Sequence, residues 1–321
     1  MSDNLKNKVL LVGAGLMARE YAKVLNALAV DYDVVGRGPD SCAAFEKATG
    51  KKPAAGGLDD FLNKQSHSLY SHAIVATGID TLNHIALKLI NAGVKNSLLE
   101  KPGGMNTAEM DSLENAARIN QASVYIAYNR RFYASVLKAR EIIKADGGLT
   151  SFNFEFTEWS HVIEPLKTDA LIKQKWFLAN STHVADLAFY FGGLPLEMSA
   201  YRAGNLSWHK YSKFTGAGVC ENHVLFSYQA NWGSPGRWAL ELLTSEHRLI
   251  LKPLEGLQIQ ATGTVAVNPV ELDDVLDKGF KPGLYKQTFA FLGNETSQLC
   301  SIDYQTKAMR WYDKISGYDP V

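Results

Sequence analysis

The chain has 321 residues, a length that predicts two domains. Its 33 basic residues balance its 33 acidic residues, so its net charge does not favour nucleic acid or a membrane surface as a partner. No apolar stretch approaches the roughly 20 residues that span a bilayer, the polar start leaves no room for a signal peptide, and three scattered cysteines fit neither a disulfide framework nor a metal site. We therefore expect a reduced, cytoplasmic protein without a metal.

The first part of the chain alternates short apolar runs with segments whose apolar residues recur at helical spacing. The pattern predicts strands over residues 8–12, 33–35, 73–76, 97–99 and 123–127, and helices over 16–28, 41–49, 82–92 and 107–120. Strands and helices that alternate in this way form a doubly wound parallel sheet covered on both faces, as in a Rossmann domain.

The pattern changes after residue 124, where alternating apolar and polar residues predominate. It predicts helices over 134–145, 180–191 and 303–315, and strands over 150–158, 197–202, 219–231, 237–244, 248–251 and 257–261. Residues 205–218 are expected to form a loop of the kind that frames a substrate. We therefore expect a Rossmann domain over residues 1–124 and an α+β domain with a large, mostly antiparallel open sheet over 125–321, and whether the last helix packs back on the first domain is left open.

A glycine-rich turn joins the first predicted strand to the first predicted helix. Gly13 permits the tight turn, Gly15 lets backbone amides approach a diphosphate, and Ala18 allows close packing of helix and strand. The alternative is a structural turn in another doubly wound fold. The predicted diphosphate-binding residues are Gly13, Ala14, Gly15, Leu16 and Met17.

The end of the second predicted strand bears on the choice of cofactor. NAD sites place an acid there for the ribose hydroxyls, whereas NADP sites need positive charge for the 2′-phosphate. This chain has Arg37, with Ser41 close behind and no acid at the turn, so NADP(H) is favoured over NAD(H). The alternative for Arg37 is a solvated arginine on a loop. A methyltransferase is only a distant alternative for the fold, because it would normally also need an acid at this position for the ribose hydroxyls.

Taken together, several motifs resemble the glucose–fructose oxidoreductase, inositol dehydrogenase and rhizopine catabolism family of oxidoreductases. They are the Gly13-Ala14-Gly15 turn, Ala76-Thr77 with His84, Glu100-Lys101-Pro102, the segment from Tyr128 to Phe132, and the segment from His183 to Leu187. The resemblance implies cofactor contacts from Ala76, Thr77, His84, Glu100, Lys101 and Pro102. It also implies a sugar-like substrate and a homodimer or homotetramer.

In this family the lysine that matches Lys101 binds or protonates the substrate oxygen, and the histidine that matches His183 is its partner. The family pattern also has an acid four residues before the histidine, where this chain has Ala179. The resemblance therefore implies a Lys101–His183 dyad and not a triad. A surface lysine is the alternative for Lys101. A structural role is the alternative for His183, and Asn180 or Ser181 could equally cap the helix.

Further substrate contacts are predicted at Tyr128, Asn129, Arg130, Trp159 and Asn180, although packing at a domain junction explains the aromatic residues equally well. The function that these residues indicate is hydride transfer between a nicotinamide and a carbinol or carbonyl carbon of a sugar, cyclitol or nucleotide-sugar. A non-catalytic NADP sensor, and a reductase of imines or open-chain ketones, are the alternatives on the same fold.

Overall fold

The computed structural model describes residues 8–64 and 70–318, and contacts within it divide the chain into two compact units. The first unit comprises the described residues up to Asn129 together with Leu276–Thr306. The second comprises Arg130–Val275 and the described residues from Lys307 onward. The boundary between residues 124 and 125, and the packing of the last helix, stay predictions.

The elements up to residue 126 alternate strand and helix, as the sequence predicts. They are β1 (Lys8–Val12), α1 (Leu16–Ala27), β2 (Tyr32–Val35), α2 (Pro39–Thr49), α3 (Gly57–Lys64), β3 (Tyr70–Val75), α4 (Leu82–Asn91), β4 (Asn96–Leu99), α5 (Thr107–Ile119) and β5 (Ser123–Ile126). The sequence did not indicate α3, whose eight residues are too few to show a clear helical period.

The remaining elements are dominated by strands. After a 3₁₀ turn (Asn129–Phe132) they are α6 (Ala134–Ala145), β6 (Ser151–Glu155), α7 (Ser160–Ile163), α8 (Ala170–Gln174), a π-helical turn (Phe177–Ser181), α9 (Thr182–Gly192), β7 (Pro195–Ala203), β8 (Lys213–Cys220), β9 (Leu225–Asn231), β10 (Ala239–Leu243), β11 (His247–Leu251), β12 (Gln258–Ala261), β13 (Asn268–Pro269), α10 (Val275–Gly279), α11 (Leu284–Leu292), a 3₁₀ turn (Thr296–Gln298), β14 (Cys300–Ser301) and α12 (Ile302–Ser316). None of the described helices is both long and apolar enough to cross a membrane.

Two predictions in the second half are wrong. The expected loop over 205–218 ends early because Lys213–Cys220 form β8, and the expected strand over 219–231 is two strands joined by a turn at residues 221–224. The glycines that suggested a loop lie where strands approach closely: a Cβ on Gly218 would be 2.1 Å from the carbonyl oxygen of Glu197. The shortened loop buries Trp208 and His209 against Trp232, with ring centroids 5.7 and 4.7 Å from it.

The first unit contains a six-stranded sheet of order β14-β5-β4-β3-β1-β2, parallel except for β14. Val12 at the end of β1 pairs with Val35 of β2 and with Val75 of β3, and Val75 pairs in turn with Leu99 of β4. The residues that follow these strands therefore lie along one edge. Because β2 and β3 lie on opposite sides of β1, a crevice is expected at this edge, where α/β sheets bind nucleotides.

The second unit contains an eight-stranded sheet of order β13-β12-β11-β10-β6-β9-β8-β7, antiparallel except between β6 and β9. Phe189 of α9 packs edge-on against Phe154 of β6 and Phe226 of β9, with centroid distances of 5.8 and 5.4 Å. Each fully buried phenylalanine stabilises the fold by about 1.5–3 kcal/mol. This aromatic contact fixes α9, and with it His183, against the sheet. The two sheets confirm the predicted fold class.

Candidate functional site

A cavity of about 780 Å³ lies at the carboxyl edge of the first sheet, lined by the residues that follow β1, β2 and β3. Ten predicted cofactor residues line it: Gly13, Ala14, Gly15, Leu16, Met17, Arg37, Ser41, Ala76, Thr77 and His84. Glu100, Lys101 and Pro102 are not among its lining residues. The glycine turn and the two later segments, far apart in sequence, thus form one cavity.

The glycine turn is shaped for close approach of a ligand. Gly13 has a φ of +121°, and a Cβ there would lie 2.3 Å from the carbonyl oxygen of Ala76, so no other residue fits without strain. A Cβ on Gly15, in contrast, would meet nothing within 4 Å, which places open space beside the start of α1. No side chain among the residues that the structure describes caps α1, so its first-turn amides are available to an anion.

Arg37 lies on the cavity wall with its side chain exposed, and it makes no hydrogen bond or ion pair with any residue that the structure describes. The carboxylate of Asp59 also lines the cavity, but Lys88 binds both of its oxygens at 2.5 Å. Sequence reasoning missed this pair. Asp59 lies on α3, whose first residue, Gly57, donates a hydrogen bond from its amide to the carbonyl of Gly36. No local sequence pattern predicts this bond.

Lys101 follows β4 and is half-buried beside Glu100. The Tyr21 hydroxyl donates to a Glu100 oxygen at 3.0 Å. Burial raises the pKa of the Glu100 carboxyl, whereas the charge of Lys101 and the Tyr21 hydrogen bond oppose that rise. A carboxyl group is thus held directly behind the lysine, where its ionised form would stabilise the ammonium.

A buried glutamine braces the segment that carries Lys101. The side-chain amide of Gln305 donates to the carbonyl of Pro102 at 2.9 Å and to the Tyr128 hydroxyl at 3.2 Å. Asn129 is also buried, and its amide donates to the carbonyl of Pro282 at 2.8 Å. Tyr128 and Asn129 therefore help to hold the segment 276–306 within the first unit, and their contact with substrate stays a prediction.

In the second unit, Glu158 follows β6 and is only 1% exposed. It accepts hydrogen bonds from Ser181 at 2.8 Å and from Asn180 at 3.0 and 3.1 Å, and Arg237 lies 3.4 Å away. Burial raises its pKa, against the effect of these partners. Sequence reasoning missed Glu158. It binds Asn180 and Ser181, in the turn before His183, and these residues are more than 20 positions away in the sequence, so no local pattern predicts the contact.

Three residues form a group that we call the arginine–tryptophan cluster: Arg130, Arg237 and Trp238. The guanidinium carbons of the two arginines lie 4.8 and 4.6 Å from the centre of the Trp238 ring. His183, in the first turn of α9, has its ring 6.1 Å from the same tryptophan. The structure therefore brings the predicted residues His183 and Arg130 together around a tryptophan that the sequence did not single out.

Trp159 belongs to the same neighbourhood. Its indole nitrogen donates to the carbonyl of Gly236 at 2.8 Å, and Arg237 lies 4.9 Å from its ring centre. The side chain is nearly half exposed, so part of its ring is accessible to a ligand, and His161 also stacks near it with ring centroids 6.4 Å apart. No group of histidine, cysteine and acidic side chains among the residues that the structure describes is arranged to hold a metal ion.

Residues 7–128 match the model of an oxidoreductase family described by its NAD-binding Rossmann fold. This segment is therefore similar to the nucleotide-binding domain of that oxidoreductase family. This match confirms the resemblance drawn from the motifs, and it places the glycine turn, Arg37 and Lys101 within the matched segment. No curated protein sequence matches the chain.

Solved structures of several dehydrogenases and oxidoreductases share the fold over most of the chain. A levoglucosan dehydrogenase in complex with NADH and L-sorbose is 17% identical, with a TM-score of 0.79 over 96% of this chain and 95% of its own. A UDP-N-acetylglucosamine 3-dehydrogenase from Acidithiobacillus ferrooxidans is 16% identical, with a TM-score of 0.76 over 96% of each chain. An oxidoreductase from Agrobacterium radiobacter in complex with NAD⁺, L-tartaric acid and magnesium is 10% identical, with a TM-score of 0.77 over 96% of this chain and 94% of its own. At these identities the likeness shows the fold alone.

The raised pKa of Glu158 has a consequence for stability. The folded state binds this proton more tightly than the unfolded state, so the contribution of Glu158 to stability falls as pH rises from the ordinary glutamate value of 4.5 through the raised pKa. Glu158→Gln cannot titrate. We therefore expect the free energy of unfolding of the wild type, minus that of Glu158→Gln, to decrease with rising pH in this window.

Urea unfolding of both proteins at a series of pH values measures this difference. The matched control is Glu197→Gln, at an exposed glutamate on β7 of the same sheet, whose difference from the wild type is subtracted at each pH. A Glu158 difference that is constant or increases with pH would contradict the assignment of burial as the dominant influence on this carboxyl group.

Proposed function

We propose that the protein catalyses reversible hydride transfer between NADP(H) and a carbinol or carbonyl carbon of a sugar-like substrate: a sugar, a cyclitol or a nucleotide-sugar. The observation that carries the proposal is the cavity that Gly13–Gly15 and Arg37 line, at the sheet edge where β4 also ends before Lys101. The dehydrogenases of similar fold, whose substrates are levoglucosan and UDP-N-acetylglucosamine, support a sugar-like substrate.

The residues of the cavity fit a dinucleotide. We assign the uncapped first turn of α1 and the open space beside Gly15 to the diphosphate, because backbone amides at a helix start bind anions. We assign Arg37, with Ser41 beside it, to the 2′-phosphate. Asp59, one of two aspartates that line the cavity, is already paired with Lys88, and this supports NADP(H) over NAD(H).

Arg37→Glu tests the cofactor assignment. Loss of the charge-assisted contacts to the 2′-phosphate, with repulsion added, is expected to weaken NADPH binding by about 100-fold or more, since such hydrogen bonds contribute about 1.5–3 kcal/mol. NADH binding should change far less. Titration calorimetry with both cofactors measures the effect, with Lys52→Glu as the control at an exposed lysine that does not line the cavity. Equal losses for NADPH and NADH would refute the role of Arg37.

When bound, the nicotinamide supplies the acceptor or donor of the hydride. The hydroxyl proton must leave as the carbinol carbon loses its hydride, so a positioned acid or base accelerates the reaction. We assign this proton to Lys101, with Glu100 and Tyr21 behind it. We assign to His183 the second role, either as a ligand of the substrate or as an additional acid and base, with Asn180 and Trp159 among the substrate contacts.

A panel of sugars, cyclitols and nucleotide-sugars, assayed with NADP⁺ and with NAD⁺ for the appearance of the reduced cofactor, tests the proposed reaction. Turnover of at least one member, faster with NADP⁺, is the expected result. Tight NADP⁺ binding without turnover in either direction would indicate the non-catalytic sensor instead. Turnover confined to imines or open-chain ketones would move the assignment to the corresponding reductases.

We further propose that the protein is a cytoplasmic homodimer or homotetramer that does not bind nucleic acid or membranes. Large apolar side chains on β7 and β9 support self-association: Leu196, Tyr201 and Leu225 are each more than half exposed. The three cysteines are buried thiols, as a reducing compartment favours. Light scattering of the purified protein would give a monomer mass if self-association is wrong, and fractionation of cells tests the compartment.

A further inference from the structure

The arginine–tryptophan cluster carries more positive charge than its neighbours neutralise. Arg237 lies 3.4 Å from Glu158, so its charge has a partner. Arg130 makes no hydrogen bond or ion pair through its side chain with any described residue, and its buried Nε atom has no acceptor. Burial is the largest influence on the pKa of Arg130 and lowers it; Tyr133, Glu255 and Glu158 favour its charge without forming an ion pair with it, and Arg237 opposes that charge.

This arrangement is costly for the protein alone. Burial lowers the pKa of the Arg130 guanidinium, although an arginine remains protonated in proteins. A buried charge without a hydrogen-bonded partner destabilises the fold. Stacking at 4.8 Å from the Trp238 ring centre holds the guanidinium plane and leaves its edge, which carries the N–H groups, as the only hydrogen-bonding surface. An anion that bound this edge would offset the cost.

We propose that Arg130 binds an anionic group of the substrate, a carboxylate or a phosphate, so that the substrate is an acidic or phosphorylated sugar and not a neutral one. This inference rests on the proposed function and narrows its substrate class. The planar fork of a guanidinium matches both groups, because each presents two oxygens to parallel N–H bonds. His183 contacts the same tryptophan ring, so the anionic group binds beside the residue that we assign to the reacting end of the sugar.

Binding of three matched probes to the protein saturated with NADP⁺ tests the proposal. The probes are D-glucose, D-glucuronate and D-glucose 6-phosphate, and saturation prevents the phosphate from occupying the cofactor cavity. We expect at least one anionic probe to bind about tenfold or more tightly than glucose, as charge-assisted hydrogen bonds imply. The carboxylate and phosphate arms identify which group is preferred. Equal affinity for all three probes, or no binding of either anion, overturns the proposal.

Three variants locate the effect. Arg130→Met should remove the preference for the anionic probe, and Arg130→Lys, which keeps the charge but loses the planar fork, should retain part of it. Arg140→Met is the matched control, since Arg140 also stacks on an aromatic ring, 5.2 Å from that of Tyr190 in the same unit. A preference that survives in Arg130→Met overturns the assignment. If Arg130→Met does not fold, Arg130→Lys tests the proposal instead: a reduced preference for the anionic probe supports it, and an unchanged preference overturns it.

Cofactor reduction in the same samples separates this inference from the proposed function. Anion binding that depends on Arg130, without any hydride transfer across the wider panel, would leave the anion site standing and reject the dehydrogenase. Oxidation of neutral sugars at equal rates by the wild type and Arg130→Met would support the dehydrogenase and reject the anion site.

Discussion

Lys101→Met is expected to abolish turnover of the substrate while NADP(H) still binds. Methionine keeps most of the length of the side chain but can neither hold nor move a proton. Positioned acids and bases accelerate such reactions by about 10²–10⁴-fold, so a loss of that size is expected in kcat. Steady-state kinetics and cofactor titration on the same preparation measure the two effects separately.

The matched control for this variant is Lys95→Met, at an exposed lysine just before β4 whose ammonium donates to the carbonyl of Asn120 at 2.7 Å. Its kcat should equal that of the wild type. Undiminished turnover in Lys101→Met would remove Lys101 from the reaction. A parallel loss of cofactor affinity would instead give this lysine a role in binding the nucleotide.

Asp186→Ala is expected to cause the largest loss of stability. Asp186 forms a two-pronged ion pair with Arg131, at 2.9 Å from Nε and 2.5 Å from a terminal nitrogen, and the two side chains are only 1% and 4% exposed. Truncating the acid removes the carboxylate that the buried Arg131 binds, and breaking a buried ion pair in this way costs about 3–5 kcal/mol. Urea unfolding, read as the free energy of unfolding, measures this loss.

The control for the ion pair is Glu141→Ala, which breaks the exposed pair with Lys138 at 3.0 Å and should cost well under about 1 kcal/mol. The double variant Arg131→Met/Asp186→Leu should recover part of the stability lost in Asp186→Ala, because no unpaired charge remains. Equal losses in Asp186→Ala and Glu141→Ala would show that the buried pair is no stronger than a surface one.

The parts of the fold that the sequence predicted are those in which local pattern determines structure. Apart from α3, each strand and helix up to residue 126 carries its own period of apolar residues, and the Gly13 turn is local to six residues. Arg37 and Lys101 each lie two residues after the end of a strand, so a parallel sheet brings both to one edge. The candidate cofactor residues were therefore accessible from the sequence.

The parts that escaped prediction depend on contacts between distant segments. Glu158 binds the turn at residues 180 and 181, and Lys88 binds Asp59, through hydrogen bonds that leave no periodic trace. The strand β8 was missed for a related reason. Its glycines suggested a loop, but they are required where Glu197 of the neighbouring strand approaches, and that neighbour is known only from the fold.

The first unit is discontinuous in sequence, and this affects how it is synthesised. Its sixth strand, β14, and the helix α11 that packs against α1 come from residues 276–306, and Gln305 supplies the bonds that brace Pro102. A ribosome that has released the first 129 residues has therefore released an unfinished nucleotide domain. The edge of β5 and the flank of α1 stay uncovered until about 150 further residues of the second unit have emerged. The second unit lies between the two segments of the first in the sequence. During synthesis from the N-terminus, all strands of its sheet therefore emerge before the last strand of the first sheet.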